Sequence, residues 1–171
     1  MPHAVVTMEG EGGSPENYGM ANKVSQEDLA FHPYVLAVPK GVSVEFPNLD
    51  RVRHHVYSFS RGNRFELELY GREEHRTVTF NKPGTVAIGC NIHDDMLAYI
   101  RVADAPYGGV SNESGTISFD AMPENIATAH VWYPQIGRDE ALVLPLIADG
   151  EGYKLSLPAD APAPVARMSM N

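Results

Sequence analysis

The sequence predicts an all-β protein, and three observations support this. Apolar and polar residues alternate over short runs, as in strands with one buried face. Gly, Pro, Asn and Asp, the usual residues of turns, separate these runs. Only the segment from Ser25 to Leu29 has a helical pattern, with Ser25 as an N-cap and acidic residues in the first turn. We therefore expect a β-sandwich or barrel with one short helix.

Seven strands are predicted before residue 104. In the fourth, Leu67 and Leu69 share the face expected to be buried, while glutamates occupy the other face. In the sixth, Val86, Ile88 and Cys90 are in phase, so the Cys90 sulfur should point to the core. The seven predicted runs are 34–38, 42–46, 54–59, 65–69, 78–80, 86–90 and 97–102.

The length of 171 residues fits one domain with an appendage. We expect a Gly-rich flexible leader over 1–22, a principal β domain over 23–104 and a small β module over 105–157 that packs on it. Residues 158–171 read as a flexible tail, because their Pro/Ala tract cannot extend a strand ladder. The strands predicted for the module are 115–119, 127–133, 141–147 and 152–157.

The charge excludes several classes of partner. Thirteen Lys and Arg against 22 Asp and Glu leave a net charge of −9. Such a chain is repelled by phosphate backbones and anionic lipid, so we predict no nucleic-acid partner. No apolar run approaches the about 20 residues of a membrane-spanning helix, so no membrane insertion is expected. Protein partners with basic surfaces suit this charge.

The segment Gly-Cys-Asn-Ile-His-Asp-Asp-Met at 89–96 carries the chemistry. It places a thiol (Cys90), an imidazole (His93) and a thioether (Met96) within seven residues, directly after a strand predicted to be buried. Soft sulfur ligands favour copper, and one Cys and two His with a weak axial Met form blue-copper electron-transfer sites. This segment therefore predicts three of the four ligands of a copper site.

The second histidine must come from a neighbouring strand. His54 and His55 begin the third predicted strand. If Val52 and Val56 face the core, His54 faces it too and His55 points away, so His54 is the predicted ligand. A slip of one residue in the strand register would exchange the two, which leaves His55 as the second choice.

These residues resemble the cupredoxins, the small type 1 (blue) copper proteins. The resemblance covers about residues 30–104 and rests on His54-His-Val56, Lys82-Pro-Gly84 and Cys90-x2-His93-x2-Met96, with a short ligand loop of the amicyanin type. The sequence is also similar to plastocyanin-like proteins of the methylamine-utilisation type. The resemblance implies a Greek-key β-sandwich, one copper ion per chain that cycles between Cu(I) and Cu(II), redox protein partners and a periplasmic location. It also implies equatorial His54, Cys90 and His93 and axial Met96.

The ligand loop departs from the cupredoxin pattern at one point. Cupredoxin loops carry Pro and apolar residues around the histidine, whereas Asp94 and Asp95 follow His93 here. Two carboxylates close to the metal and poorly solvated would favour Cu(II) and lower the reduction potential. Taken alone, the two residues are typical of a solvated turn.

Other functions remain open at this stage. A copper oxidase or nitrite-reductase-like enzyme needs a second copper, linked through a histidine beside the Cys, but Gly89 and Asn91 flank Cys90. We therefore do not expect an enzyme. A copper carrier or storage protein is the main alternative, because the same soft ligands bind Cu(I). Zinc is less favoured, since Met is a poor zinc ligand, and a purely structural module is the remaining alternative.

Overall fold

The structure is a computed structural model that describes residues 1–12, 15–119, 122, 126–137, 139–150 and 152–162. Every secondary-structure element in these ranges is a β-strand, which confirms the all-β prediction. Residues 163–171 of the predicted tail lie outside the described residues. The strands are β1 (Val5–Met8), β2 (Ser25–Glu27), β3 (Ala30–His32), β4 (Val35–Pro39), β5 (Val42–Glu45), β6 (His54–Ser58), β7 (Phe65–Tyr70), β8 (Thr77–Phe80), β9 (Gly84–Cys90), β10 (Leu97–Ala103), β11 (Tyr107–Val110), β12 (Thr128–Trp132), β13 (Leu142–Pro145), β14 (Ile147–Asp149) and β15 (Gly152–Lys154).

The larger sheet has five strands in the order β4-β10-β9-β6-β7. The strands β4 and β10 are parallel, and the remaining pairs are antiparallel. The pairs β5–β8 and β2–β3 contribute Val44, Phe80 and Phe31 to the same buried core as Val56 and Ile88 of the large sheet. Within the large sheet β6 lies beside β9, although the two strands are far apart in the sequence.

The short helix predicted from Ser25 to Leu29 is wrong. These residues form β2 and the turn that leads into β3. Asp28 and Leu29 take positive φ angles of 53° and 57° in that turn, a conformation that continues no right-handed helix. The N-cap pattern reflects only neighbouring residues. The hairpin is stabilised by contacts with the loop that follows β5, where the Gln26 amide donates a hydrogen bond to the Pro47 carbonyl.

A second sheet has the order β11-β1-β12-β13. The prediction of a flexible leader over 1–22 is wrong for Val5–Met8, because this strand pairs with β11 on one side and β12 on the other. Val5 and Trp132 of this sheet pack with Val35 and Ala37 of β4, so the two sheets share an apolar cluster. The predicted strand over 115–119 is absent from the described residues, which have no ladder there.

A β-bulge between β6 and β7 changes which face of β7 is occupied by Leu69. His54 lies opposite Tyr70 and Val56 opposite Leu67, so two steps along β6 match three along β7. The extra residue of this bulge interrupts the alternation of β7. Leu69 is therefore 43% exposed and Tyr70 is buried, and the prediction that Leu69 shares the buried face with Leu67 is wrong.

None of the residues that the structure describes belongs to a helix long and apolar enough to cross a membrane.

Candidate metal centre

Three predicted ligands meet at one point of the structure. His54, Cys90 and His93 each offer one ligand atom, and these atoms lie within 4.8 Å of one another. The Cys90 Sγ atom is 3.7 Å from His54 Nδ1 and 3.6 Å from His93 Nδ1. The two imidazole rings lie next to each other, with centroids 5.0 Å apart. Both rings therefore turn the same nitrogen, Nδ1, towards the thiol.

Two neighbouring strands position the thiol and one imidazole. Cys90 ends β9, and Val56 of β6 lies opposite it in the ladder. Val86, Ile88 and Cys90 are all buried, which confirms the predicted phase of this strand. The ladder hydrogen bonds hold both backbones, so His54 at the start of β6 reaches the sulfur without any free segment between them.

The histidine pair divides between the two faces of β6. His54 is fully buried, whereas His55 turns to the other face and contacts Glu66. The prediction of His54 assumed that Val52 and Val56 both face the core. Val56 is buried as expected, but Val52 precedes β6 and is 45% exposed, so it shares no core face with His54.

The remaining predicted residues lie in the turn between β9 and β10. His93 is half-buried, and its carbonyl accepts a hydrogen bond of 3.0 Å from the Met96 amide, which closes the turn. The Met96 side chain is buried in the same core cluster as Cys90. Asp94 and Asp95 are exposed, as expected of a solvated turn.

Asp50, which was not among the residues predicted from the sequence, contacts His54. Its Oδ2 atom lies 2.8 Å from His54 Nε2, and its carboxylate also accepts the backbone N–H groups of Asp28 (2.8 Å) and Leu29 (3.2 Å). Burial raises the pKa of Asp50, but the hydrogen bonds from His54, Leu29 and Asp28 outweigh it and hold the pKa below its usual value. An ionised carboxylate only accepts hydrogen bonds, so His54 Nε2 is the donor in this contact, while Nδ1 faces Cys90.

The only sequence signal for Asp50 is its position four residues before His54. It lies in the segment Pro47-Asn-Leu-Asp50, whose composition is typical of a turn. A turn explains that composition fully, so nothing in the sequence distinguishes a partner of the metal site from an ordinary loop residue.

Neither a protein-family profile nor a curated protein matches this chain. Among solved structures, a Cu-containing nitrite reductase from Thermus scotoductus SA-01 is 30% identical over 49% of this chain, with a TM-score of 0.46, and the match spans 22% of the reductase chain. A purple cupredoxin from Nitrosopumilus maritimus is 17% identical over 47% of this chain and 98% of its own, with a TM-score of 0.43. A reduced Cu(I) form of an amicyanin mutant is 20% identical over 59% of this chain and 99% of its own, with a TM-score of 0.46.

Proposed function

We propose that this chain is a cupredoxin that carries single electrons at one type 1 copper site. The observation that carries this proposal is the meeting of a buried thiol and two imidazole Nδ1 atoms within 4.8 Å. In this proposal His54, Cys90 and His93 would hold the copper through two imidazoles and a thiolate, and Met96 would supply a thioether as a weak fourth donor. The proposed setting is the periplasm, with redox proteins as partners and no substrate turnover.

The donor set fits copper better than the other common metals. A thiolate with two imidazoles and a nearby thioether is the combination that selects copper in electron-transfer sites. Zinc sites in proteins usually have more thiolate ligands or an open position for water, and hard cations such as Ca²⁺ and Mg²⁺ prefer oxygen ligands. When bound, copper would supply reversible one-electron exchange between its Cu(I) and Cu(II) states.

The chain contributes a rigid frame and exclusion of water. His54 and Cys90 lie on adjacent strands of one sheet, so their separation is set by the ladder and not by a loop. Both side chains are buried, which keeps solvent from becoming an extra ligand. A site that rearranges little on gaining an electron has a low barrier to electron exchange.

The half-buried His93 ring is the proposed edge for electron exchange with a partner. It is the most accessible of the three ligands that meet at the site. Its turn also carries the exposed Asp94 and Asp95, which would give the surface around His93 a negative charge. A partner with a basic docking surface is the matching choice.

Visible absorption and EPR spectra of the copper-loaded protein test the proposal. A type 1 site gives intense thiolate-to-copper charge transfer and a small copper hyperfine splitting. A Cys90→Ser variant should lose the colour, since it lacks the thiolate. A wild-type protein that binds only Cu(I) and stays colourless in oxidant would instead support a copper carrier or storage protein.

A further inference from the structure

We propose that Asp50 is a positioning residue for His54, one that directs His54 Nδ1 towards Cys90 and places a fixed negative charge behind the metal site. This inference rests on the proposed function, because it concerns the same site. It adds a residue that the ligand motif does not contain.

Both nitrogens of the His54 ring have a partner. Nε2 lies 2.8 Å from Asp50 Oδ2, and Nδ1 lies 3.7 Å from Cys90 Sγ. The ring is fully buried, so water cannot replace either contact. Carboxylate partners of this kind fix the tautomer of a ligand histidine, orient its ring and raise its basicity.

Asp50 is itself held in place by backbone hydrogen bonds. Its two carboxylate oxygens accept the amides of Asp28 and Leu29 from the β2–β3 turn. Its own amide donates to Asn48 Oδ1 at 2.9 Å. The carboxylate therefore cannot swing away from His54 without breaking contacts to a second part of the chain.

The turn that holds Asp50 is conformationally unusual. Asp28 and Leu29 both have positive φ angles, 53° and 57°, in the left-handed region that non-glycine residues rarely adopt. Such conformations persist where the surroundings hold them in place, and they cluster at functional sites. Here the result is that two consecutive N–H groups point at one carboxylate.

The negative charge of Asp50 lies in a largely buried position. The Asp50 side chain is only 13% exposed, so solvent screens its charge weakly. A negative charge one imidazole away from the metal favours the oxidised, more positive state and thus lowers the reduction potential.

The test compares Asp50→Asn with Glu66→Gln in the copper-loaded protein. Both changes remove one charge from a carboxylate that lies 2.8 Å from a histidine Nε2, but Glu66 contacts His55 on the other face of β6. Asp50→Asn should weaken Cu(II) binding by about 10–100-fold and raise the reduction potential; each tenfold loss confined to Cu(II) corresponds to about 59 mV. Glu66→Gln should leave the potential near the wild-type value. Equal potentials in the two variants would overturn the proposal.

A second measurement uses the metal-free protein and so does not depend on copper. Nitrogen-15 NMR should show the His54 ring protonated at Nε2 in the wild type and in Glu66→Ala. In Asp50→Ala the ring should exchange between tautomers; if that variant does not fold, the wild-type spectrum still decides. A wild-type His54 protonated at Nδ1 or exchanging between tautomers contradicts the proposal.

The two proposals fail in different ways. A blue wild type with an unaffected Asp50→Asn variant refutes only the role of Asp50, whereas a colourless wild type refutes the proposed function.

Discussion

Two consecutive histidines on β6 have nearly the same local chemistry and different positions in the fold. Each has its Nε2 atom 2.8 Å from a carboxylate oxygen: His54 from Asp50 and His55 from Glu66. His54 is fully buried and faces Cys90, whereas the His55 side chain is 17% exposed and its Glu66 partner 66% exposed. A histidine–carboxylate pair is therefore no indication of a metal site by itself. The face of the strand decides, because only one face meets the thiol.

The largest expected effect distinguishes the two histidines directly. His54→Ala removes one of three converging ligand atoms and should abolish the blue absorption, with a loss of copper affinity beyond the about 100-fold typical of a lost outer partner. His55→Ala should keep colour and affinity. Spectra and competitive copper titration measure both. Loss of colour in His55→Ala alone would mean that the strand register in solution is shifted by one residue.

The same contrast between faces extends to β10 and the turn before it. Met96 is buried in the same core cluster as Cys90, and the next residue, Leu97, is exposed. Met96→Leu should retain copper and raise the reduction potential, because loss of the thioether donor disfavours Cu(II). Leu97→Met, the reverse change on the outer face, should not alter the potential. Cyclic voltammetry measures both, and a colourless Met96→Leu protein would contradict an axial role.

The carboxylates should also differ in what they contribute to the stability of the metal-free protein. Asp50→Ala removes charged hydrogen bonds in a largely buried setting and should lower the free energy of unfolding by about 1.5–3 kcal/mol. Glu66→Ala breaks an exposed pair and should cost no more than about 1 kcal/mol. Urea unfolding of both variants gives the two values. Equal losses would show that the burial of Asp50 does not matter.

The smallest expected effect concerns the β2–β3 turn, whose Asp28 and Leu29 amides donate to Asp50. Leu29→Gly keeps the amide that binds Asp50 and relieves a positive φ angle, so it should change the free energy of unfolding by less than about 1 kcal/mol or increase it. Leu49→Gly, at an exposed position without a positive φ, should only destabilise. Thermal unfolding compares them. A stronger loss in Leu29→Gly than in Leu49→Gly would show that the Leu29 side chain is needed for the turn.

Local patterns predicted much of the principal domain. Alternation located the strands from 34 to 102, and the phase of Val86, Ile88 and Cys90 correctly placed the sulfur in the core. The preference for His54 over His55 agrees with the burial of His54, although Val52 is exposed. These predictions succeeded because side chains alternate between the two faces of a regular strand, so their direction follows from the count of residues along it where no bulge intervenes.

Non-local pairing produced the errors. The strand Val5–Met8 is paired with residues 107–110 and 130–132 of the chain, so its short apolar run gave no indication of a partner. The exposure of Leu69 follows from a bulge that depends on the fit between two strands. Asp50 gained its contacts from a hairpin more than twenty positions earlier, and its own neighbours indicated only a turn.

The sequence by itself predicted a set of candidate metal ligands and the buried strand faces of His54 and Cys90, because residue type and the period of two are local properties. Only the tertiary structure decided that His54, Cys90 and His93 share one point and that Asp50 stands behind His54. The physical reason is that these contacts join strands and turns distant in the chain, and their distances are set by ladder hydrogen bonds and core packing rather than by any short segment.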